Sequence, residues 1–520
     1  MHGLRGQCAE GSRYLRRRGL FRRGTDPVIH MKAQRPFIKL FQTARQRYVY
    51  DVNTNRILAV DACCHDALHD YGTRSPAEII RKHGPHHGRA GVKRAIKWIE
   101  ESQRLRNVLL PSRPEAITLG LSRKDIEAQY AASVKSMSLD LTERCNLRCH
   151  YCGVDALRPH PRRDMPEATA LSAIDFLHAH SRDMDVVALR FYGGEPLLRF
   201  ELITRCVCHA LAMFGRRRIR FHMVTNGLLL DADKAAFLAK HGFHVAVSVD
   251  GTRAVHDRHR LTPGGKSSYR AAVNGLRRIV EAYGAQAPDK VTIFSTFTPP
   301  YDLKAVSRLR HDEPWLSARV PVKLTYVNTE RWASCPPLSE RSRRSLRRTR
   351  RLHIRPFARD LIAGRPTDRL NAQFLALRLN RIFRRRTGWA PRRLYPLNAC
   401  CVPGVPTVFV TVDGELRICE NACGTRPIGS IEAGYDLRTV WRMLNEYAAE
   451  SIRDCRRCWA VSICTVCFAH VFREGRVSIE RKRRECRRVR GGLAASLKLY
   501  CTILEENPRA FEEKGDIGIG

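Results

Sequence analysis

Eleven of the nineteen cysteines fall in two groups, at 145–152 and 401–486, so this chain must fold around whatever those thiols bind. The rest of the sequence narrows the choice. No run of about 18 apolar residues is present, so no membrane span is expected. The basic N-terminus is followed by no apolar h-region, so no secretory signal is read. A cytoplasmic protein is expected, and there thiols in such numbers serve metal binding rather than disulfides. At 520 residues with 43% hydrophobic content, two to four units with real cores are expected.

The first group is Cys145-Asn-Leu-Arg-Cys149-His-Tyr-Cys152, on a loop leaving a strand-like Ser136–Leu141. Three thiolates at CxxxCxxC spacing can ligate three irons of a 4Fe–4S cube and leave the fourth open to an exogenous ligand. A structural zinc site would want a second pair of ligands, and none lies close by. A CxxCH haem attachment is excluded, because Gly153 and Phe468 follow the CxxC pairs. An accidental cluster of structural thiols is the remaining alternative.

From Ser136 to Leu324, β-branched runs alternate with helix-length segments. Strands are read at 186–192, 219–224, 245–249 and 291–297, with helices such as 168–180 and 232–240 between them. This pattern predicts βαβ units and a parallel sheet. Gly193-Gly194-Glu195-Pro196, Thr225-Asn226-Gly227 and Ser248-Val249-Asp250-Gly251 each end one of these strands, where ligands of parallel sheets bind. Each motif alone is more often a turn. Their order behind CxxxCxxC is the signal.

On these residues, 136–325 resembles a radical S-adenosylmethionine enzyme. The resemblance implies a partial (β/α)6-type barrel. Cys145, Cys149 and Cys152 would hold the 4Fe–4S cluster, and Tyr151 would lie near the adenine. Gly193, Gly194, Glu195 and Pro196 would take the methionine end, with Glu195 accepting from its ammonium. Thr225, Asn226, Ser248 and Asp250 would complete the pocket. Arg260 would either pair with the cofactor carboxylate or be a surface arginine. The implied chemistry is one-electron cleavage of S-adenosylmethionine to a 5′-deoxyadenosyl radical that abstracts a substrate hydrogen, with the protein excluding water.

The second group reads Cys401-x12-Gly414-x4-Cys419, then Cys455-x2-Cys458-x5-Cys464-x2-Cys467, then Cys486. It resembles the SPASM domain, which carries auxiliary iron–sulfur clusters, although the usual form has three residues where two separate Cys464 from Cys467. Carried over by order, Cys401, Cys419 and Cys467 would hold one cluster, with Cys400 and Cys423 as nearby candidates to complete it. Cys455, Cys458, Cys464 and Cys486 would hold the other. A zinc ribbon is the alternative for 455–467. In some protein-maturing relatives an acidic residue after the second cysteine is a base, which points to Glu420. The bland reading is a loop glutamate. Cys8, Cys63, Cys64, Cys206, Cys208, Cys335 and Cys501 default to plain thiols.

Ahead of the core, Phe37–Phe41 and Tyr48–Leu58 read as strands around an Asx-rich turn, with helices near 76–82 and 91–103. This unit resembles the winged-helix-like element that binds the leader of ribosomally made peptides by strand addition. The expected units are a disordered basic extension (1–34), a leader-binding domain (35–115), the radical core (130–328), a helical bridge (329–395), a cysteine-rich domain (396–490) and a helical tail (491–520).

The formal charge of +41, with arginine runs at 341–351 and 384–386, suits an acidic peptide or nucleic acid, and equally a set of solvated helix faces. The leading expectation is a maturase that cross-links a ribosomal peptide, a thioether being favoured, with a flavodoxin or ferredoxin as electron donor. Maturation of a folded sulfatase or dehydrogenase subunit is the alternative. An iron–sulfur RNA-binding or RNA-modifying protein is a third reading, weakened by the lack of interleaved aromatics or an RNA module.

Overall fold

The computed structural model describes residues 34–152, 162–299, 301–316, 320–327, 339–365, 379–388, 393–397, 401–420, 422 and 424–511. The basic extension, Cys8, Cys335, Cys400 and Cys423 lie outside them.

Strands β1 (Ile38–Gln42), β2 (Arg47–Asp51) and β3 (Arg56–Val60) form an antiparallel sheet in chain order. The turn from β2 to β3 is the expected Asx turn: buried Asp51 accepts from Asn53 N at 3.3 Å and Thr54 Oγ1 at 2.6 Å. Three helices follow, Ala62–Asp70, Pro76–His87 and Arg89–Arg106. The second starts at a capping box, in which Ser75 and Glu78 satisfy each other's backbone N–H groups. The first was not foreseen, because its short Ala-Cys-Cys-His run has no clear apolar stripe; Asp61 caps it by accepting from Cys64 N at 2.7 Å. One face of this unit buries Val49, Leu68, Ile79 and Ile99 in its own core, while Phe37, Tyr50 and Val52 join the main core.

The main sheet has six parallel strands in sequence order: β5 (Ser136–Asp140), β6 (Val187–Tyr192), β7 (Ile219–Thr225), β8 (His244–Ser248), β9 (Val291–Phe297) and β10 (Val322–Tyr326). A short pair, β4 (Ala116–Thr118) with β11 (Leu394–Pro396), lies apart from it. In β6, Val187, Leu189 and Phe191 are buried while Arg190 between them is exposed, so one face meets the helices and the other is more open. This is the α/β architecture read from the sequence.

Beyond β5 the sheet is extended by residues from the far end of the chain. Strand β12 (Val408–Val410) pairs parallel to β5, and β13 (Leu416–Arg417) pairs antiparallel to β12. One core therefore runs from Phe37 through the central strands to Leu497. The tail expected to begin at 491 is not a separate element: one helix, Ile479–Glu506, carries both Cys486 and those residues. Gly491 and Gly492 sit inside it without ending it. The helix Glu340–Ile362 of the bridge packs on it through Phe357, Leu361 and Ile503. Among the described residues no helix is long and apolar enough to cross a membrane.

Candidate functional site

The cysteine loop follows the carboxyl end of β5, with Cys145 three residues after Thr142, and the backbones of two segments hold it. Gly194 N donates to Thr142 O at 2.8 Å and Glu195 N to Arg144 O at 3.0 Å. Arg148 N donates to Leu261 O at 2.7 Å and His150 N to His259 O at 3.0 Å. The approach of Gly194 is so close that a Cβ there would stand 2.2 Å from Arg144 O. Here the residue must be glycine to let two backbones touch.

Glu195 is 1% exposed and ties two strand ends together. Its Oε1 accepts from Leu197 N at 3.1 Å and Thr225 Oγ1 at 2.7 Å, and its Oε2 accepts from Asn226 N at 2.8 Å. Burial raises its pKa, and these three bonds oppose the rise. The carboxylate expected to meet a ligand ammonium is thus already engaged by protein donors, which fix the turn itself. Asn226, held this way, donates through Nδ2 to Asn146 Oδ1 at 2.7 Å inside the cysteine loop. Pro196 opens a 3-10 turn, Pro196–Arg199.

A second buried network closes the other side. Asp250 Oδ1 accepts from Thr296 N at 2.8 Å. Its Oδ2 accepts from Arg260 Nε at 3.0 Å and from the Tyr151 hydroxyl. The Arg260 guanidinium lies 5.5 Å from the Tyr151 ring centroid. Arg260 is buried rather than superficial, and its Nε is spent on a protein carboxylate. His256 Nδ1 accepts from Asp250 N at 3.4 Å, its Nε2 meets Ser268 Oγ at 3.0 Å, and Ser268 Oγ donates to Arg260 O at 2.6 Å. Ser248 ends β8 and is buried. His256, Ser268, Thr296 and Asn146 were not foreseen; nothing in their spacing marks them.

Burial pushes the Cys145 thiol up to about 11 and Cys149 up to about 12, the latter opposed by Arg260. The charge of Cys152 acts on Cys145 and Cys149, and that of Cys145 on Cys149, so the three thiols are near neighbours. Three neighbouring soft sulfurs with a cation beside them, and no fourth thiol in the loop, fit a cluster that keeps one iron open.

In the C-terminal unit, Gly414 turns β12 into β13 at φ 80°, and half-buried Cys419 and Glu420 follow. The charge of Cys467 acts on the Cys401 thiol. Cys455 ends the helix Leu437–Cys455, Cys458 and Cys464 lie on the loop after it, and Cys486 on Ile479–Glu506 faces them. Burial raises Cys455 to about 11 and Cys464 to about 12. These four thiols form one electrostatic group, and four sulfurs suit a fully ligated cube. Among the described residues no three His, Cys, Asp or Glu side chains close around a single-ion position.

Residues 139–308, about a third of the chain, match the family model of the Radical SAM superfamily. Over 144 residues the chain is 31% identical to Fe-coproporphyrin III synthase of Methanosarcina barkeri, covering 27% of this chain and 33% of that protein. It is 26% identical over 181 residues to the serine-type anaerobic sulfatase-maturating enzyme of Bacteroides thetaiotaomicron, covering 34% and 43%. It is 25% identical over 179 residues to the radical SAM cyclopropyl synthase TigE of Paramaledivibacter caminithermalis, covering 32% and 36%. The matched segments span about a third to a half of these curated relatives. The fold resembles the solved structure of native anSMEcpe with bound AdoMet, at TM-score 0.51 and 15% identity over 72% of this chain and 98% of that one. Residues 139–308, with the cysteine loop and the strand-end turns that hold it, are a radical SAM domain.

Proposed function

We propose that this protein is a radical S-adenosylmethionine maturase that modifies a peptide. The observation that carries the reading is the placement of Cys145, Cys149 and Cys152 against the Gly193–Glu195 turn, in a chain that gathers a second group of four thiols, Cys455 and Cys464 buried and Cys458 and Cys486 half-buried. Cys145, Cys149 and Cys152 would hold the 4Fe–4S cluster. Gly193, Gly194, Thr225, Asn226, Ser248, Asp250 and Tyr151 would shape the S-adenosylmethionine pocket. When bound, these groups supply one-electron cleavage of a sulfonium and hydrogen abstraction from substrate.

The chain's own residues prepare that chemistry. Glu195 locks the β6 and β7 ends to each other through Thr225 and Asn226. Asp250 neutralises Arg260 and orients Tyr151, keeping a cation near Cys149 without leaving it unpaired. Cys401, Cys419 and Cys467, and separately Cys455, Cys458, Cys464 and Cys486, would hold auxiliary clusters. Glu420, beside Cys419, would be a base toward substrate. A cross-link, with a thioether favoured, is the modification proposed. The three-stranded unit at 38–60, ahead of the core, supports a leader-bearing peptide as partner, and a flavodoxin or ferredoxin would donate electrons. Maturation of a folded sulfatase is the second reading, favoured by the similarity to a sulfatase-maturating enzyme.

Anaerobic reconstitution tests this, with iron counted and 5′-deoxyadenosine assayed beside a variant carrying Ala at 145, 149 and 152. About twelve irons in the parent, with four irons and all cleavage lost in the variant, is the expected result for three cubes. Full iron loading without cleavage would sink the radical reading.

A further inference from the structure

Lys482 is 1% exposed and belongs to the apolar stripe of the helix Ile479–Glu506, together with Val489, Leu493 and Leu497. A lysine there is out of pattern. An ammonium taken from water costs several kcal/mol unless an anion meets it. Among the described residues no carboxylate pairs with it. Asp454, which feels the charge of Lys482, is held by Arg483 Nε at 3.0 Å. The partner that Lys482 Nζ does have is Cys455 Sγ, at 3.8 Å. Four residues on, Cys486 sits on the same helix face, so lysine and thiol are presented together to Cys455, Cys458 and Cys464.

A neutral thiol would leave this buried cation uncompensated; a net negative centre would not. We propose that Lys482 is the internal counter-ion of the cluster held by Cys455, Cys458, Cys464 and Cys486, and that it raises the reduction potential of that cluster. The inference rests on the auxiliary-cluster reading given above. Uptake of one electron from a low-potential donor adds one negative charge to the centre. No bond is made or broken, and Lys482 keeps its proton. A fixed cation beside a ligand sulfur favours that extra charge. The centre is thereby suited to receive an electron rather than to bind substrate.

Lys482→Met keeps the length and removes the charge. The reconstituted full chain would be titrated with dithionite and followed by electron paramagnetic resonance, with iron counted in the same samples. Relative to the parent, Lys482→Met is expected to lower the reduction equilibrium constant of one auxiliary signal about tenfold, a fall of about 59 mV for one electron. Lys482→Arg is expected to stay near the parent. In the iron-free protein, Lys482→Met should melt higher than the parent, because an uncompensated buried charge has gone. An unchanged potential in iron-replete Lys482→Met would overturn the proposal. If Cys455→Ala with Cys458→Ala loses no iron, there is no cluster at this group. That result would also overturn it, while leaving the Cys145–Cys152 reading to its own assay.

Discussion

At the residue scale, the site depends on a few atoms with no freedom to move. Gly194→Ala would drive a methyl group into Arg144 O, a backbone atom that cannot swing aside. The expected outcome is loss of the same iron that the Cys145, Cys149, Cys152 variant loses, with auxiliary iron retained; retention of all iron would refute the argument. Asp250→Asn leaves the Arg260 cation buried with no counter-charge, and is expected to cost about 3–5 kcal/mol, read from the urea midpoint. His256 is fully buried, and burial first, then Arg260, lowers it to about 4. Between its unfolded value near 6.5 and about 4, the unfolded chain binds the extra proton. Its contribution to stability is therefore full above pH 6.5 and drains away as pH falls toward 4, by about 3 kcal/mol in total. His256→Gln should flatten the stability slope across that window relative to the parent. The cysteines were legible because their spacing is their chemistry. The Asp250–Arg260–Tyr151 network was legible only as separate residues, since Tyr151 and Asp250 meet across 99 positions of chain.

At the scale of elements, β-branched runs bounded by turns located five of the six parallel strands to within a residue or two, because strands buried on the helix side must be apolar at every second position, while β10, with only Val322 buried, was not singled out. The helix Ile479–Glu506 was harder to read. Gly491-Gly492 suggests a boundary, yet Val489, Leu493 and Leu497 keep the buried stripe in phase across it, and packing outweighs propensity. Gly491 has open space around a would-be Cβ. Gly491→Ala should thus stabilise the protein by about 0.5–1 kcal/mol, seen as a higher Tm with the iron content unchanged. No gain would mean that the helix is not continuous there. The same stripe held the signal for Lys482, which stands where an apolar side chain is due.

At the scale of the molecule, the sequence suggests a row of separable units, and the structure joins them. Strand β12 adds to β5 across some 270 residues of chain, a pairing no local pattern announces, because three residues of Val-Phe-Val could join any sheet. Val408, Val410, Leu416 and Met443 then share one core with Met137 and Leu189. The N-terminal unit reaches the same region: Tyr50 meets the Trp459 ring edge-on at 6.2 Å, and Ser462 Oγ donates to Val52 O at 2.9 Å. These contacts place the unit proposed to take a leader directly on the loop carrying Cys458 and Cys464. A chain ended at 395 would strip β5 of its neighbour, leave a bare strand edge beside the cysteine loop and open the shared core to water. Such a chain is expected to aggregate and to show no cooperative melting transition, whereas independent units would each keep their own. Calorimetry of the full chain supplies the complementary check. One transition spanning the core and the cysteine-rich unit follows from a shared core; two resolved transitions, with the lower lost on iron removal, would show that the β5–β12 pairing does not couple them.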